Sequence, residues 1–322
     1  MHMLDGGLLL SRRNELAAIQ NRNSGLHEEK ANNHYRPHRE PTQHNNKSSL
    51  SQRFRFQLQA LAVSMEGLSL SAVIITLNEE ANLPRTLASV AWADEIVVLD
   101  SGSTDRTREI AESFKAKFFC ESWKGFAAQK NSALQKASGD WILSLDADEE
   151  VEPALADEIR QTLAGNPSAT GFWIPRKNFF LNRWIRHGGF YPDPKLRLFR
   201  RGAGTFEDRL VHEDLRVQGS TAKLRNHLLH HAYPTLDSYL EHMNRYSSLG
   251  AQMVTARNGL VGFSFLDIVI RPQLTFFYNY FLRAGFLDGR EGLLLHLYHA
   301  GYVSWKYAKA WERNQSNKTK TA

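Results

Sequence analysis

From residue 70 onward, short apolar runs alternate with stretches of helical spacing. Residues 71–76 form a β-branched run of the length of a buried strand. Residues 81–90 follow at helical intervals. A second apolar run, 95–99, stops at Asp100. Residues 104–115 read as a helix, with Ser103 or Thr104 as its N-cap. Residues 117–120 read as a strand, and 126–137 as a helix ended by Gly139. A fourth strand, 141–145, stops at Asp146, and a helix over 153–163 has Pro153 at its first turn. Strands alternating with helices of this length predict an α/β fold, with a mostly parallel sheet covered on both faces.

After residue 170 the pattern changes. Residues 171–175, 196–200 and 224–230 read as strands in a loop-rich, aromatic stretch, and from 236 to the end the chain reads as helices. Residues 1–66 are rich in Asn, His, Arg, Gln and Ser and show no sustained period, so they read as a disordered extension. Met65 opens a stretch that looks like the start of a strand-first domain, and translation from Met65 would omit 1–64. The expected organisation is therefore 1–66 extension, 67–235 catalytic domain and 236–322 helical region.

Composition changes this picture little. The formal charge is +6, which raises nucleic acid, anionic lipid and phosphorylated substrates as partners. Residues 1–64 hold nine Lys or Arg against five Asp or Glu, so +4 of the +6 lies there and +2 remains for the rest. A nearly balanced folded part argues against nucleic acid. Cys120 is the single cysteine, which excludes an internal disulfide. Following Phe118 and Phe119, it reads as a buried core thiol in a reducing compartment. No secretory signal is visible, and no segment offers about 18 uncharged apolar residues.

Ligands of open α/β sheets sit beyond the carboxyl ends of the strands. Three segments occupy such positions: Thr76-Leu-Asn-Glu79, Asp100-Ser-Gly-Ser-Thr-Asp105 and Asp146-Ala-Asp148. Asp146 to Glu150 places four acids within five residues. Asp146 and Asp148 suit a hard cation such as Mg2+ or Mn2+, or else a solvated turn. Glu149 and Glu150 read as the acidic start of a helix. Gly102 and the hydroxyls around it can form an anion-binding turn or an ordinary strand-to-helix loop.

In order and spacing these three segments, with Gly125-Phe-Ala-Ala-Gln-Lys-Asn131 and Ala137-Ser-Gly-Asp140, resemble glycosyltransferase family 2 over roughly 68–235. The resemblance implies the GT-A (Rossmann-like) fold and a nucleotide-sugar donor, with UDP as the expected carrier. It implies that Asp100 reads the uracil imide and that Thr76, Asn78 and Glu79 line the nucleoside. Ser101 departs from the commoner second Asp. Asp148 would bind the metal, with Asp146 at the ribose or the metal's water shell. Lys130 would lie near the diphosphate, or else be a solvated helix lysine.

Inverting transfer needs a base for the acceptor hydroxyl. Val211-His212-Glu213-Asp214 looks like the Val-His-Glu motif of the lipopolysaccharide-core branch of the family, close to its heptose-modifying β-1,4-glucosyltransferases. It nominates Glu213, with Asp214 as rival and His212 orienting the acceptor. Arg197 and Arg200 would face phosphates or stand as strand-edge charges. The aromatic and basic C-terminal helices, read as 263–286 and 293–311, suit an anionic membrane interface or a packed helical subdomain. The resemblance thus implies a lipid-linked or lipopolysaccharide-core acceptor and peripheral association with the cytoplasmic face of the plasma membrane. Two rivals remain. A nucleotidyltransferase should carry a Gly-rich basic loop after the first strand, where Thr-Leu-Asn-Glu stands. A decayed, membrane-bound adaptor should have lost its acids.

Overall fold

The computed structural model describes residues 67–207, 214–258 and 262–321. His212, Glu213 and the 1–66 extension lie outside them.

The chain begins with β1 (Leu70–Thr76), α1 (Leu83–Ser89), β2 (Glu95–Asp100), α2 (Thr107–Ser113), β3 (Lys117–Cys120), α3 (Phe126–Leu134) and β4 (Trp141–Asp146). β5 (Glu149–Val151) and α4 (Pro153–Ala164) follow, then β6 (Gly171–Ile174), β7 (Arg176–Phe180), β8 (Arg183–Trp184) and β9 (Lys195–Arg200). β10 (Gly204–Glu207), β11 (Asp214–Val217), β12 (Thr221–Lys223) and β13 (Leu228–Tyr233) complete the strands. The seven-stranded sheet runs β12-β6-β9-β4-β1-β2-β3. β4, β1, β2 and β3 are mutually parallel, and β9 is antiparallel to both its neighbours. The order reverses between β1 and β4, which opens a crevice at their carboxyl ends. A smaller sheet runs β5-β13-β7-β8, and β10 pairs with β11.

Alternation along β1 explains the covering of both sheet faces. Leu70, Ala72 and Ile74 pack with Leu155, Ile159 and Leu163 of α4, while Val73 packs with Ala133 of α3 and Phe199. All these side chains are buried, so the strand reads as a continuous apolar run.

Several expectations need correction. α2 starts at Thr107 and neither Ser103 nor Thr104 caps it, because Ser103 is bonded to Asp100 and Asn78 instead. Residues 149–151 are a strand, not a solvated helix start; Glu149 is fully buried. Cys120 is exposed at the end of the edge strand β3, not a core thiol. The strand placed at 224–230 begins at Leu228.

The helical region opens with α5 (Leu236–Asn258). The stretch read as one helix over 263–286 is instead π-helix over Leu266–Ile270, α6 (Arg271–Phe277), π-helix again over Tyr278–Leu282 and a 3-10 turn over Gly285–Asp288. α7 (Gly289–Thr321) follows and packs against α5 and α6. Among the described residues no helix is long and apolar enough to cross a membrane.

Candidate active site

The loops after β1, β2 and β4 line the crevice. Thr76 and Asp100 are in register on adjacent strands, and the Thr76 hydroxyl donates to Asp100 Oδ1 at 2.9 Å. Ser103 Oγ donates to the same oxygen at 2.5 Å. Asp100 Oδ2 accepts from the backbone N–H of Gly102 at 2.8 Å and of Ser103 at 2.7 Å. Four donors thus fix this buried carboxylate. Gly102 has φ +99°, a conformation that favours glycine. The Ser101 hydroxyl is buried and has no hydrogen-bond partner among the described residues.

The β1 loop locks onto the β2 loop. Asn78 donates its N–H to Ser103 Oγ at 2.7 Å and accepts from the Thr104 N–H at 2.9 Å. Glu79 donates its N–H to Thr107 Oγ1 at 2.8 Å. Burial raises the Glu79 pKa. The Asn82 hydrogen bond opposes that, while the negative charges of Asp148, Asp105 and Asp146 add to it. Glu79 therefore feels the same field as the β4 acids.

Asp146 is held by two cations. Lys130 Nζ of α3 donates to Oδ1 at 2.7 Å, and Arg197 of β9 donates to Oδ2. Burial disfavours the charged form, but Arg197 and Lys130 outweigh it and hold the carboxyl well below its usual range. Lys130 is buried in this pair, which overturns the solvated-lysine alternative. Arg197 also reaches Glu149 Oε1 at 2.8 Å, so it is neither a strand-edge charge nor turned outward. Arg176 of β7 donates to Glu149 at 2.9 Å and to Asp193 at 2.6 Å. Lys195 lies 3.2 Å from Asp193. Four cations and three acids form one chain of ion pairs beneath the crevice.

Asp148 meets this chain indirectly, through His230 and Asn178, whose amide donates to Asp193 at 3.2 Å. His230 Nε2 of β13 lies 3.3 Å from its Oδ2, and His230 Nδ1 meets Asn178 Oδ1 at 2.7 Å. Burial opposes ionisation of Asp148, and His230 more than offsets it, so its pKa is lowered. Among the described residues no three His, Cys, Asp or Glu side chains form a complete metal cage. The Asp148 carboxylate fits a hard divalent cation that takes its other ligands from substrate phosphates and water.

The structure therefore brings together Thr76, Asn78, Glu79, Asp100 and Ser101 in the first two loops. It places Lys130, Asp146 and Asp148 around the third. Asp214 opens β11 in register with Glu207 of β10. Asn131 of α3 holds β10 through the N–H and carbonyl of Phe206, at 2.9 and 2.8 Å. The hairpin strands that flank 208–213 are thus docked on the helix that supplies Lys130. Sequence reasoning missed Arg176, Asp193 and His230. Arg197 carried a readable signal: an arginine between Leu196 and Leu198 in a strand covered on both faces needs a buried acid.

Known proteins with the same pattern fix the family. The model of Glycosyl transferase family 2 matches residues 71–227. The lipopolysaccharide core biosynthesis glycosyltransferase LpsC of Rhizobium meliloti (strain 1021) is 31% identical over 254 residues, covering 77% of this chain and 93% of the relative. An uncharacterized glycosyltransferase of Rickettsia felis (strain ATCC VR-1525 / URRWXCal2) is 31% identical over 238 residues, covering 70% and 83%. Among solved structures, the mannosyltransferase PcManGT from Pyrobaculum calidifontis, in complex with GDP-Man and Mn2+, matches with TM-score 0.44 and 16% identity over 84% of this chain and 96% of its own. With the acids of three strand ends gathered at the sheet's switch point and LpsC aligned over nearly its whole length, the chain belongs to glycosyltransferase family 2 and has the mixed α/β GT-A fold.

Proposed function

We propose that the protein is an inverting glycosyltransferase that moves a sugar from a nucleotide-sugar, a UDP-sugar by expectation, to a lipid-linked or lipopolysaccharide-core acceptor. It would work at the cytoplasmic face of the plasma membrane. The observation that carries this reading is the division of labour between Asp146 and Asp148. Asp146 is neutralised by Lys130 and Arg197, while the ion-pair partner of Asp148 among the described residues is His230. A crevice with a carboxylate–imidazole pair, flanked by buried cations, suits a diphosphate better than a neutral ligand. The aligned LpsC relative, named for lipopolysaccharide core biosynthesis, supports the acceptor class.

Each residue then has a role. Asp100 and the Ser101 hydroxyl meet the base, and Thr76, Asn78 and Glu79 close the nucleoside side. Lys130 faces the diphosphate from its place on Asp146. Asp148, oriented by His230, would hold Mg2+ or Mn2+, which when bound would neutralise charge on a departing diphosphate. This assigns Asp146 a positioning role in place of the metal-ligand role. Glu213 takes the proton of the acceptor hydroxyl, with Asp214 as rival and His212 orienting the acceptor. The acceptor oxygen bonds to the anomeric carbon as the bond from that carbon to the diphosphate oxygen breaks. The nucleoside diphosphate leaves with the electron pair.

A donor screen with UDP-, GDP- and dTDP-sugars, scored by product release, tests the reading. Glu213→Gln is expected to lower turnover by about 100-fold or more, with nucleotide affinity within about twofold of wild type. Full turnover in that variant and none in Asp214→Asn would move the base to Asp214. No turnover of any donor by the wild type would end the proposal.

A further inference from the structure

The helical region carries an exposed apolar row whose regularity has a backbone cause. Leu266, Ile270, Leu274, Tyr278 and Leu282 recur at every fourth residue, and all five are exposed. In an α-helix a four-residue step overshoots one turn by about 40°, so such a row winds away from its face. A π-helix has about 4.4 residues per turn, and the same step undershoots by about 33°. Here the helix is π, then α, then π across the row, and the two drifts offset each other. The row keeps to one side from Leu266 to Leu282. Pro272, Thr275 and Asn279, between its members, are buried. Exposed Phe277 and Phe281 widen the row, and exposed Phe286 and Leu287 extend it past the second π segment.

Charge selects the occupant. Arg271 on this helix is exposed and reaches Tyr307, and Arg183, Arg186 and Arg290 are exposed in the segments beside Asp288 and Glu291. The nearby acids are buried or paired, and fewer than the arginines. Asp288 is buried, accepting from the backbone N–H groups of Arg186 and His187 and facing His187 Nδ1. Asp267 is paired with Arg271 at 2.8 Å, and Glu291 lies between Arg183 and Arg290. A second copy of this surface would bring arginines against arginines, which opposes self-association. An anionic bilayer complements both the apolar row and its rim. No described helix can cross it, so the helix would lie in its plane.

We infer that the face from Leu266 to Leu282, with its arginine rim, docks the enzyme on an anionic lipid surface with the helix axis parallel to the membrane. The inference rests on the proposed membrane-linked acceptor and names the surface and lipid charge it requires.

The test uses the full chain with vesicles of phosphatidylcholine, alone or with about 30% phosphatidylglycerol. Co-sedimentation is compared for wild type and the triple variant Leu266→Ser, Leu274→Ser, Leu282→Ser. Wild type is expected to bind the anionic vesicles and to bind neutral ones more weakly. The triple variant is expected to lose affinity by about tenfold or more, with unchanged far-UV circular dichroism. No binding by wild type, equal binding to both vesicles, or undiminished binding by the variant overturns the inference. So does a wild-type dimer that the variant converts to monomer. A melting shift with UDP and Mn2+, measured on the same samples, tests the donor site separately. Its absence with vesicle binding intact would sink the UDP-donor expectation and leave the lipid surface standing.

Discussion

At the scale of single residues, the crevice is organised by paired charge. Arg197 reaches both Asp146 and Glu149, so removing it leaves two buried acids short of a partner. Breaking a buried pair by deleting one member costs more than the pair contributes, because the remaining charge stays desolvated. Arg197→Met is expected to destabilise the protein by about 3–5 kcal/mol in urea unfolding. A loss below about 1 kcal/mol would show that water reaches Glu149. Glu95 gives a pH signature elsewhere in the sheet. Burial opposes its charge, but bonds from Lys117, Ser138 and Ser71 lower its pKa to about 2. The folded state then binds fewer protons than the unfolded state between the unfolded carboxyl pKa and about pH 2. Glu95 therefore contributes stability that is complete above about pH 4.5 and is lost as the pH falls through that window. Glu95→Gln should flatten the stability-versus-pH curve there by about 1–3 kcal/mol. An unchanged acid limb would refute the assignment.

At the scale of elements, the loop between β8 and β9 joins the ion chain to the helical region. Asp193 at its far end grips Arg176, and Gly188 near its start lies against His296 of α7. A Cβ on Gly188 would stand 2.0 Å from the His296 ring, and φ there is +65°. Both the clash and the left-handed backbone act against a side chain. Gly188→Ala is expected to cost about 2–4 kcal/mol, read by chemical denaturation. A loss under about 0.5 kcal/mol would mean that α7 and the loop move apart freely. The elements themselves differ in how far the sequence discloses them. β1, β2 and β4 are readable because a strand covered on both faces must be apolar throughout. β5 is not readable: Glu149 is buried because Arg176 and Arg197 neutralise it, and they lie 27 and 48 residues downstream. Lys130 misleads for the same reason, since its acid is on another element. A pattern of spacing records which face an element buries, not which distant charge will meet it. The π segments are likewise invisible, because every-fourth-residue leucines fit an α-helix almost as well.

At the scale of the whole molecule, the three strand-end acids, the ion chain and the helical face all belong to residues 67–321. Every described buried apolar side chain lies between Leu70 and Ala310, and the family match begins at residue 71. The first 64 residues precede the family match. Those residues carry +4 of the formal +6, so their effect should be electrostatic. A chain starting at Met65 is expected to keep its unfolding free energy within about 0.5 kcal/mol of the full chain. It should keep the same turnover on a water-soluble acceptor. Binding to anionic vesicles should weaken and become less salt-sensitive, because about 1 kcal/mol is available per Lys or Arg held near a charged bilayer. Comparing the two chains by denaturation, turnover and vesicle binding across about 0.05–0.5 M salt separates these effects. Loss of stability in the shorter chain would mean that the extension completes the fold. Identical salt dependence in both would mean that its charges never reach the lipid, leaving the arginine rim as the whole of the attraction.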